Sequence, residues 1–97
     1  MKVYFVATIR DIDVEGTMGT RTVGYFEDLE TAEKCVKENW EDIYEAGYYK
    51  YAVIEDVEPG LYQSCESTPI FFKWKDGSYQ EIDKPKELEP FVGFTIG

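Results

Sequence analysis

The dipeptide Asp76-Gly77 lies between two runs rich in aromatic and β-branched residues, and it constrains the fold more than any other feature. Asp-Gly favours a two-residue type I′ turn, which requires positive φ at both positions. The runs Ile70–Lys75 and Ser78–Ile82 are therefore predicted to form a β-hairpin. In this register Trp74 faces Tyr79, which gives a stabilising aromatic cross-strand pair.

Three further segments have β-strand patterns. Residues 2–10 alternate, with Val3, Phe5, Ala7 and Ile9 on one side, and predict a strand with one buried face. Residues 20–26 are rich in threonine, valine and aromatics and predict a second strand, joined to the first by a polar loop at 11–19 as an antiparallel hairpin. Residues 48–57 have the strongest β pattern of the chain, which Pro59-Gly60 ends.

One segment between these strands has a helical pattern. Asp28 stands where a helix N-cap belongs, directly before Leu29, and Gly47 is a natural residue to end the helix. We expect a helix of about 18 residues. Its apolar stripe consists of Leu29, Ala32, Cys35, Val36, Trp40 and Ile43.

The elements follow one another as ββα-βββ. We therefore expect an α+β fold with a mostly antiparallel sheet and one long amphipathic helix packed on one face. Residues 1–97 are expected to form a single domain, with 91–97 as a short apolar segment at the end. Eight tyrosines, six phenylalanines and two tryptophans exceed what one small core needs, which suggests an interface or a stacking pocket.

The charge balance excludes several classes of function. Twenty acidic residues stand against ten basic ones, and the net charge of −10 disfavours nucleic acid and anionic membranes as partners. No run approaches the about 20 apolar residues that span a bilayer, and no leader pattern is visible. Two cysteines without a CxxC motif favour a reduced, cytoplasmic protein, with a single disulfide in a secreted domain as the alternative.

The sequence offers little catalytic machinery. Without histidine there is no Ser-His or Cys-His pair, and Cys35 on the apolar stripe is expected to be a buried hydrophobic residue. The run Asp11-x-Asp13-x-Glu15-Gly16 imitates the start of an EF-hand calcium loop. Its position 12 is Thr22 and its flanks are strands, so we interpret it as a solvated loop. We predict no enzyme activity, no catalytic residue, no metal and no cofactor.

The two arginines form the first candidate binding site. Arg10 and Arg21 flank the loop of the first hairpin, and antiparallel pairing is expected to bring them close together beside Thr8, Thr20 and Thr22. Arginine side chains with hydroxyls suit a phosphate or carboxylate. The alternative is that both arginines neutralise the acidic residues of the loop.

Aromatic residues and lysines supply further candidates. On a strand Tyr49 and Tyr51 share one face, and with Trp74 they could stack on a base; the alternative is packing against Trp40 and Tyr44. Lys73 and Lys75 share a strand face with Phe71, which we interpret as a solvated edge that blocks aggregation.

Four runs carry a resemblance to a known group of proteins. They are residues 19–26 (GTRTVGYF), 38–45 (ENWEDIYE), 49–62 (YKYAVIEDVEPGLY) and Phe72-Lys73-Trp74. Together they resemble an uncharacterised family of short acidic proteins from gut bacteria and their phages. The resemblance covers most of the chain and implies no established activity. By analogy, small phage proteins sequester cyclic nucleotide signals or imitate DNA as acidic decoys.

Two functional hypotheses follow from these observations. The first is a binding protein that sequesters a small anionic, nucleotide-derived ligand in a pocket completed by a second subunit of a homo-oligomer, with Arg10, Arg21, the three threonines and the aromatic residues as its contacts. The second is an acidic protein that occupies a basic partner protein through the outer face of its helix. That face carries Glu30, Glu33, Glu38, Glu41, Asp42 and Glu45.

Overall fold

The computed structural model describes residues 2–12, 18–42, 45, 48–58 and 69–86. These ranges form an α+β fold with an antiparallel five-stranded sheet and one α-helix, as predicted. The strands and the helix are β1 (Val3–Ile12), β2 (Met18–Phe26), α1 (Leu29–Lys37), β3 (Tyr51–Val57), β4 (Ile70–Lys75) and β5 (Ser78–Ile82). Predictions for 13–17, 43–44, 46–47, 59–68 and 87–97, including the acidic loop, Cys65 and the last apolar segment, lie outside the described residues.

The hairpin of β4 and β5 has the predicted bounds and register. Asp76 has φ 51° and Gly77 has φ 87°, the left-handed values that the turn requires. Trp74 lies opposite Tyr79, with ring centroids 5.1 Å apart and the rings inclined at 67°. The aromatic pair therefore holds the end of the hairpin next to the turn.

Helix α1 begins as predicted but is much shorter. The side chain of Asp28 accepts a hydrogen bond from the Thr31 backbone N–H at 2.7 Å, which makes it the N-cap. The helix ends at Lys37, so the prediction of a long helix reaching Gly47 is wrong. No helix in the described ranges has the length and apolarity to span a membrane.

Asn39 explains why the helix stops. It adopts a left-handed φ of 47°, and its backbone N–H donates to the Val36 carbonyl at 3.1 Å. Asparagine is the residue that most often replaces glycine in this position after a helix. The short 3-10 turn Trp40–Asp42 follows, and the Trp40 ring packs edge-on against Phe26, with centroids 5.9 Å apart. Trp40 therefore joins the core from beyond the helix.

The sheet does not follow the chain order ββα-βββ. Its spatial order is β2-β1-β3-β4-β5, so β1 lies between β2 and β3, and β4 lies inside the sheet. The prediction that β1 buries one face is also wrong, because four consecutive residues, Val6 to Ile9, are buried. A strand with apolar or small residues on both faces is stable at an interior position, where both faces are covered.

The core beneath α1 is the larger of two clusters. It contains Val6, Ala32, Cys35, Val36, Tyr49, Ala52, Ile54, Phe72 and Tyr79, all at most 9% exposed. The Tyr79 hydroxyl donates to the Tyr49 carbonyl at 2.5 Å and ties β5 to the segment before β3. Burial raises the pKa of Tyr79 well above its usual value, so the hydroxyl stays protonated and remains a donor.

The second cluster lies on the opposite face of the sheet. It contains Ala7, Ile9, Tyr51, Val53 and Phe71, with Ile82 packed against it. Register places Ala7, Val53, Phe71 and Ile82 in one row across four strands. The next row contains Ile9, Tyr51, Lys73 and Gln80, so the apolar cluster gives way to charge at Lys73.

The Tyr79 hydroxyl provides a first test of the fold. Tyr79→Phe keeps the ring but leaves the buried Tyr49 carbonyl without its donor. We expect the free energy of unfolding to fall by about 1–3 kcal/mol. Urea denaturation followed by circular dichroism measures this change. Tyr25→Phe removes a hydroxyl from a side chain that is 64% exposed and should change stability by less than about 0.5 kcal/mol. Equal effects of the two substitutions would contradict the buried hydrogen bond.

The N-cap predicts a pH dependence. Hydrogen bonds from the Thr31 side chain and backbone hold the pKa of Asp28 below its usual value. The carboxylate therefore contributes stability above the unfolded pKa of about 3.9, and this contribution is lost as pH falls through the lower folded value. Asp28→Asn keeps a capping side chain that does not titrate. The stability difference between wild type and Asp28→Asn, from urea denaturation, should shrink between pH 7 and pH 3; a constant difference would refute the cap.

Candidate functional site: a lysine-lined cleft

An open cleft of about 710 Å³ lies on the face of the sheet that points away from α1. Its described lining combines four lysines with a tyrosine, an isoleucine and a proline. We call it the lysine cleft, and it consists of Lys50, Tyr51, Lys73, Lys75, Ile82, Pro85 and Lys86. Its size is within the range of about 300–1,000 Å³ that is typical of small-molecule sites.

Strand pairing brings these residues together from distant parts of the sequence. Tyr51, the first residue of β3, pairs with Lys73 of β4, and the Trp74 backbone N–H donates to the Lys50 carbonyl at 3.2 Å. Lys75 follows two residues after Lys73, on the same face of β4. Lys86 and Pro85 come from the segment after β5. The cleft therefore lies where β3 begins and β4 ends.

The described lining of the cleft is positively charged, whereas the chain as a whole is negatively charged. Four of the ten basic residues line it, although acidic residues outnumber basic ones by two to one. The lining that the structure describes contains no carboxylate. Lys73, Lys75 and Lys86 form no ion pair within the described part of the chain; the described ion pairs are those of Lys2 with Asp56 and Glu58 and of Lys37 with Glu33. Positive charge is therefore concentrated here.

Tyr51 and Lys50 contact each other in the lining of the cleft. The Lys50 Nζ atom lies 5.3 Å from the centre of the Tyr51 ring, within the range of a cation–π interaction. The Tyr51 side chain is only 5% exposed and packs into the second cluster. The buried ring holds the adjacent ammonium group at the rim of an apolar surface.

The structure separates the residues of the predicted arginine site. Arg21 pairs with Thr8, whose neighbours Ala7 and Ile9 face the second cluster, so Thr8 and Arg21 lie on the α1 side of the sheet. Thr20 and Thr22 pair with Ile9 and Ala7 and lie on the opposite side. Thr8 is 1% exposed, and its hydroxyl donates to the Arg21 carbonyl at 3.3 Å. The Arg10 side chain is outside the described part of the chain.

The aromatic residues divide in the same way. The prediction that Tyr49 and Tyr51 share a face is wrong, because β3 begins only at Tyr51 and Tyr49 precedes it in a turn. Tyr49 and Trp74 pack with the core beneath α1, whereas Tyr51 belongs to the second cluster. Of the eight predicted ligand residues, the lysine cleft includes Tyr51.

Sequence reasoning missed most of the cleft. Lys73 and Lys75 lie on an interior strand, so their interpretation as a solvated edge is wrong. The alternating lysines before Asp76-Gly77 were a visible signal, and so was Lys50 beside a strand rich in aromatics. The sequence alone did not show that β3 pairs with β4, and this pairing places Tyr51 against Lys73.

The cysteine that the structure describes lies away from the cleft. Cys35 is buried beneath α1, and its burial raises the pKa of the thiol.

A second, smaller cavity of about 240 Å³ lies near the start of α1, between Tyr4, Leu29, Ile54, Asp56 and Ile70. The Asp56 carboxylate there pairs with the Lys2 ammonium at 3.2 Å, which raises the pKa of Lys2.

Comparison with known proteins adds no relative. No protein-family model matches the chain, no curated protein matches it, and no solved structure matches it. The resemblance to short acidic proteins of gut bacteria and their phages therefore stays a prediction.

Proposed function

We propose that this protein is a non-enzymatic binding protein that holds a small anionic ligand in the lysine cleft. One observation carries the proposal: a chain with a net charge of −10 gathers four lysines around one cleft whose described lining contains no acid. Lysine ammonium groups are point charges with three donors each, and they suit phosphate oxygens. The proposed anion site is therefore the lysine cleft instead of the predicted site around Arg10 and Arg21, and it lies on the face of the sheet opposite Arg21.

The overall negative charge does not rule out such a ligand. Exposed charges more than about 8 Å apart are largely screened at physiological ionic strength. A ligand in the cleft lies in direct contact with ammonium groups, and contact interactions exceed screened distant ones. The net charge slows the approach of an anion, whereas the lysines determine its affinity once it is bound.

The chemistry around the cleft supports binding without turnover. The polar side chains of its described lining are lysines and a buried tyrosine, and Cys35 and Tyr79 lie on the other side of the sheet in the core beneath α1. A protein that sequesters a ligand needs only affinity, and a cleft open to solvent allows the ligand to enter unchanged. Completion of the cleft by a second subunit and a cytoplasmic, phage-related role stay predictions.

The acidic surface favours a second candidate, an acidic protein that occupies a basic partner. Glu30, Glu38, Glu41, Asp42 and Glu45 are all exposed. However, α1 ends at Lys37, so the last four follow the helix instead of continuing its outer face. The charges are therefore spread over a helix and a turn, and binding to a basic protein should weaken steeply as salt is added.

Substitutions that remove one positive charge from the cleft test the proposal. Lys73→Gln and Lys75→Gln each remove one ammonium group from the cleft. We expect each to weaken binding of inorganic triphosphate about three- to tenfold at low ionic strength. Isothermal titration calorimetry measures the affinity, and mass spectrometry of the recovered triphosphate should show it intact.

Arg21→Gln is the matched control, because it removes the same charge from the α1 side of the sheet. It should change the affinity by less than about twofold. If Arg21→Gln abolished binding while both lysine variants kept it, the arginine site would replace the lysine cleft. If wild-type protein bound no anion, the proposed function itself would be wrong.

A further inference from the structure

We propose that the lysine cleft selects an organic anion with two or more phosphate groups joined to a flat, apolar part. This inference rests on the proposed function and names its ligand class. It draws on three properties of the cleft: the number of its cationic groups, their chemical type, and the apolar surface between them.

The number of ammonium groups exceeds what a single phosphate needs. They come from three segments: Lys50 before β3, Lys73 and Lys75 on β4, and Lys86 after β5. Along β4 two residues of strand separate the Lys73 and Lys75 backbones by about 6.8 Å. Ammonium groups spread over several segments can contact separate phosphate groups, whereas one phosphate can contact only some of them.

Electrostatic repulsion among the lysines also favours a ligand with several phosphate groups. Like charges that share a cleft repel one another, and within the described residues Lys73, Lys75 and Lys86 form no ion pair that would offset their charge. A polyanion cancels this repulsion at several lysines at once, so its binding energy should rise steeply with its charge. The planar guanidinium group of arginine would favour a single carboxylate or phosphate bound through two hydrogen bonds. The described lining contains no arginine.

The apolar surface indicates an organic part of the ligand. Ile82 and Pro85 line the cleft together with the lysines, and both are half-buried. An inorganic ion would leave this surface in water, whereas a ring laid on it would remove apolar area from water. The cleft volume of about 710 Å³ also exceeds that of a simple ion. Nucleoside di- and triphosphates are the common molecules of this class.

Calorimetric titration of four ligands into the wild-type protein, with EDTA present, tests separately the requirement for several phosphates and the requirement for an apolar part. ATP and AMP share a base and differ in phosphate number, whereas inorganic triphosphate and inorganic phosphate lack the base. We expect ATP to bind at least about tenfold more tightly than AMP and at least about threefold more tightly than triphosphate. Inorganic phosphate should bind most weakly.

Each failure has a distinct meaning. Equal affinity for AMP and ATP would overturn the requirement for several phosphates, and equal affinity for ATP and triphosphate would overturn the apolar part. Both results would leave anion binding by the lysine cleft intact. Binding of none of the four ligands would overturn the inference together with the proposed function.

Discussion

Burial of β3 on both faces is the constraint on which the rest of the structure depends. Six of its seven residues are buried, and the first four alternate between the two cores. Ala52 and Ile54 face the core beneath α1, whereas Tyr51 and Val53 face the second cluster. Burial of a valine or isoleucine side chain, such as Val53 or Ile54, contributes about 1.5–3 kcal/mol to stability relative to leaving it exposed. An interior position in the sheet offers apolar cover on both sides, and β3 lies there between β1 and β4.

The position of β3 also creates the lysine cleft. Pairing with β4 places Lys73 beside Tyr51, at the row where the apolar cluster ends. The Trp74–Tyr79 pair and the Asp76-Gly77 turn fix the end of the β4–β5 hairpin, and with it the direction of Lys75. The side facing α1 takes the large aromatic residues into the core. The opposite side carries Lys73 and Lys75 at the end of β4, so one hairpin packs into the core beneath α1 on one face and lines the lysine cleft on the other.

Local signals in the sequence predicted local structure well. Asp76-Gly77 gave the hairpin with its register, and Asp28 gave the start of α1, because turns and caps depend on a few neighbouring residues. The end of the helix was missed because the apolar spacing continues through Trp40, which packs on Phe26 from outside the helix. Asn39 carried the correct signal, since asparagine tolerates the left-handed conformation that ends a helix.

The candidate site was harder to predict because it depends on contacts between distant segments. Lys50, Lys73 and Lys86 are far apart in the sequence, and the order of strands decides that they meet. A row of lysines has the same pattern on an exposed edge as in a cleft, so alternation could not distinguish the two. Anion binding was predicted from the placement of Arg10 and Arg21 beside threonine hydroxyls, with aromatic residues to stack on a base. Strand register separated those arginine-site residues, and the cleft supplied another location for the same chemistry.

The most direct test of the account is where an anion binds on the protein. Backbone amide chemical shifts of ¹⁵N-labelled protein, followed while ATP is added, report this location residue by residue. The account predicts that the largest changes occur along the cleft, at Lys50, Tyr51, Lys73, Lys75 and Ile82, with little change at Arg21. Largest changes in β2, or shifts spread along α1, would contradict it.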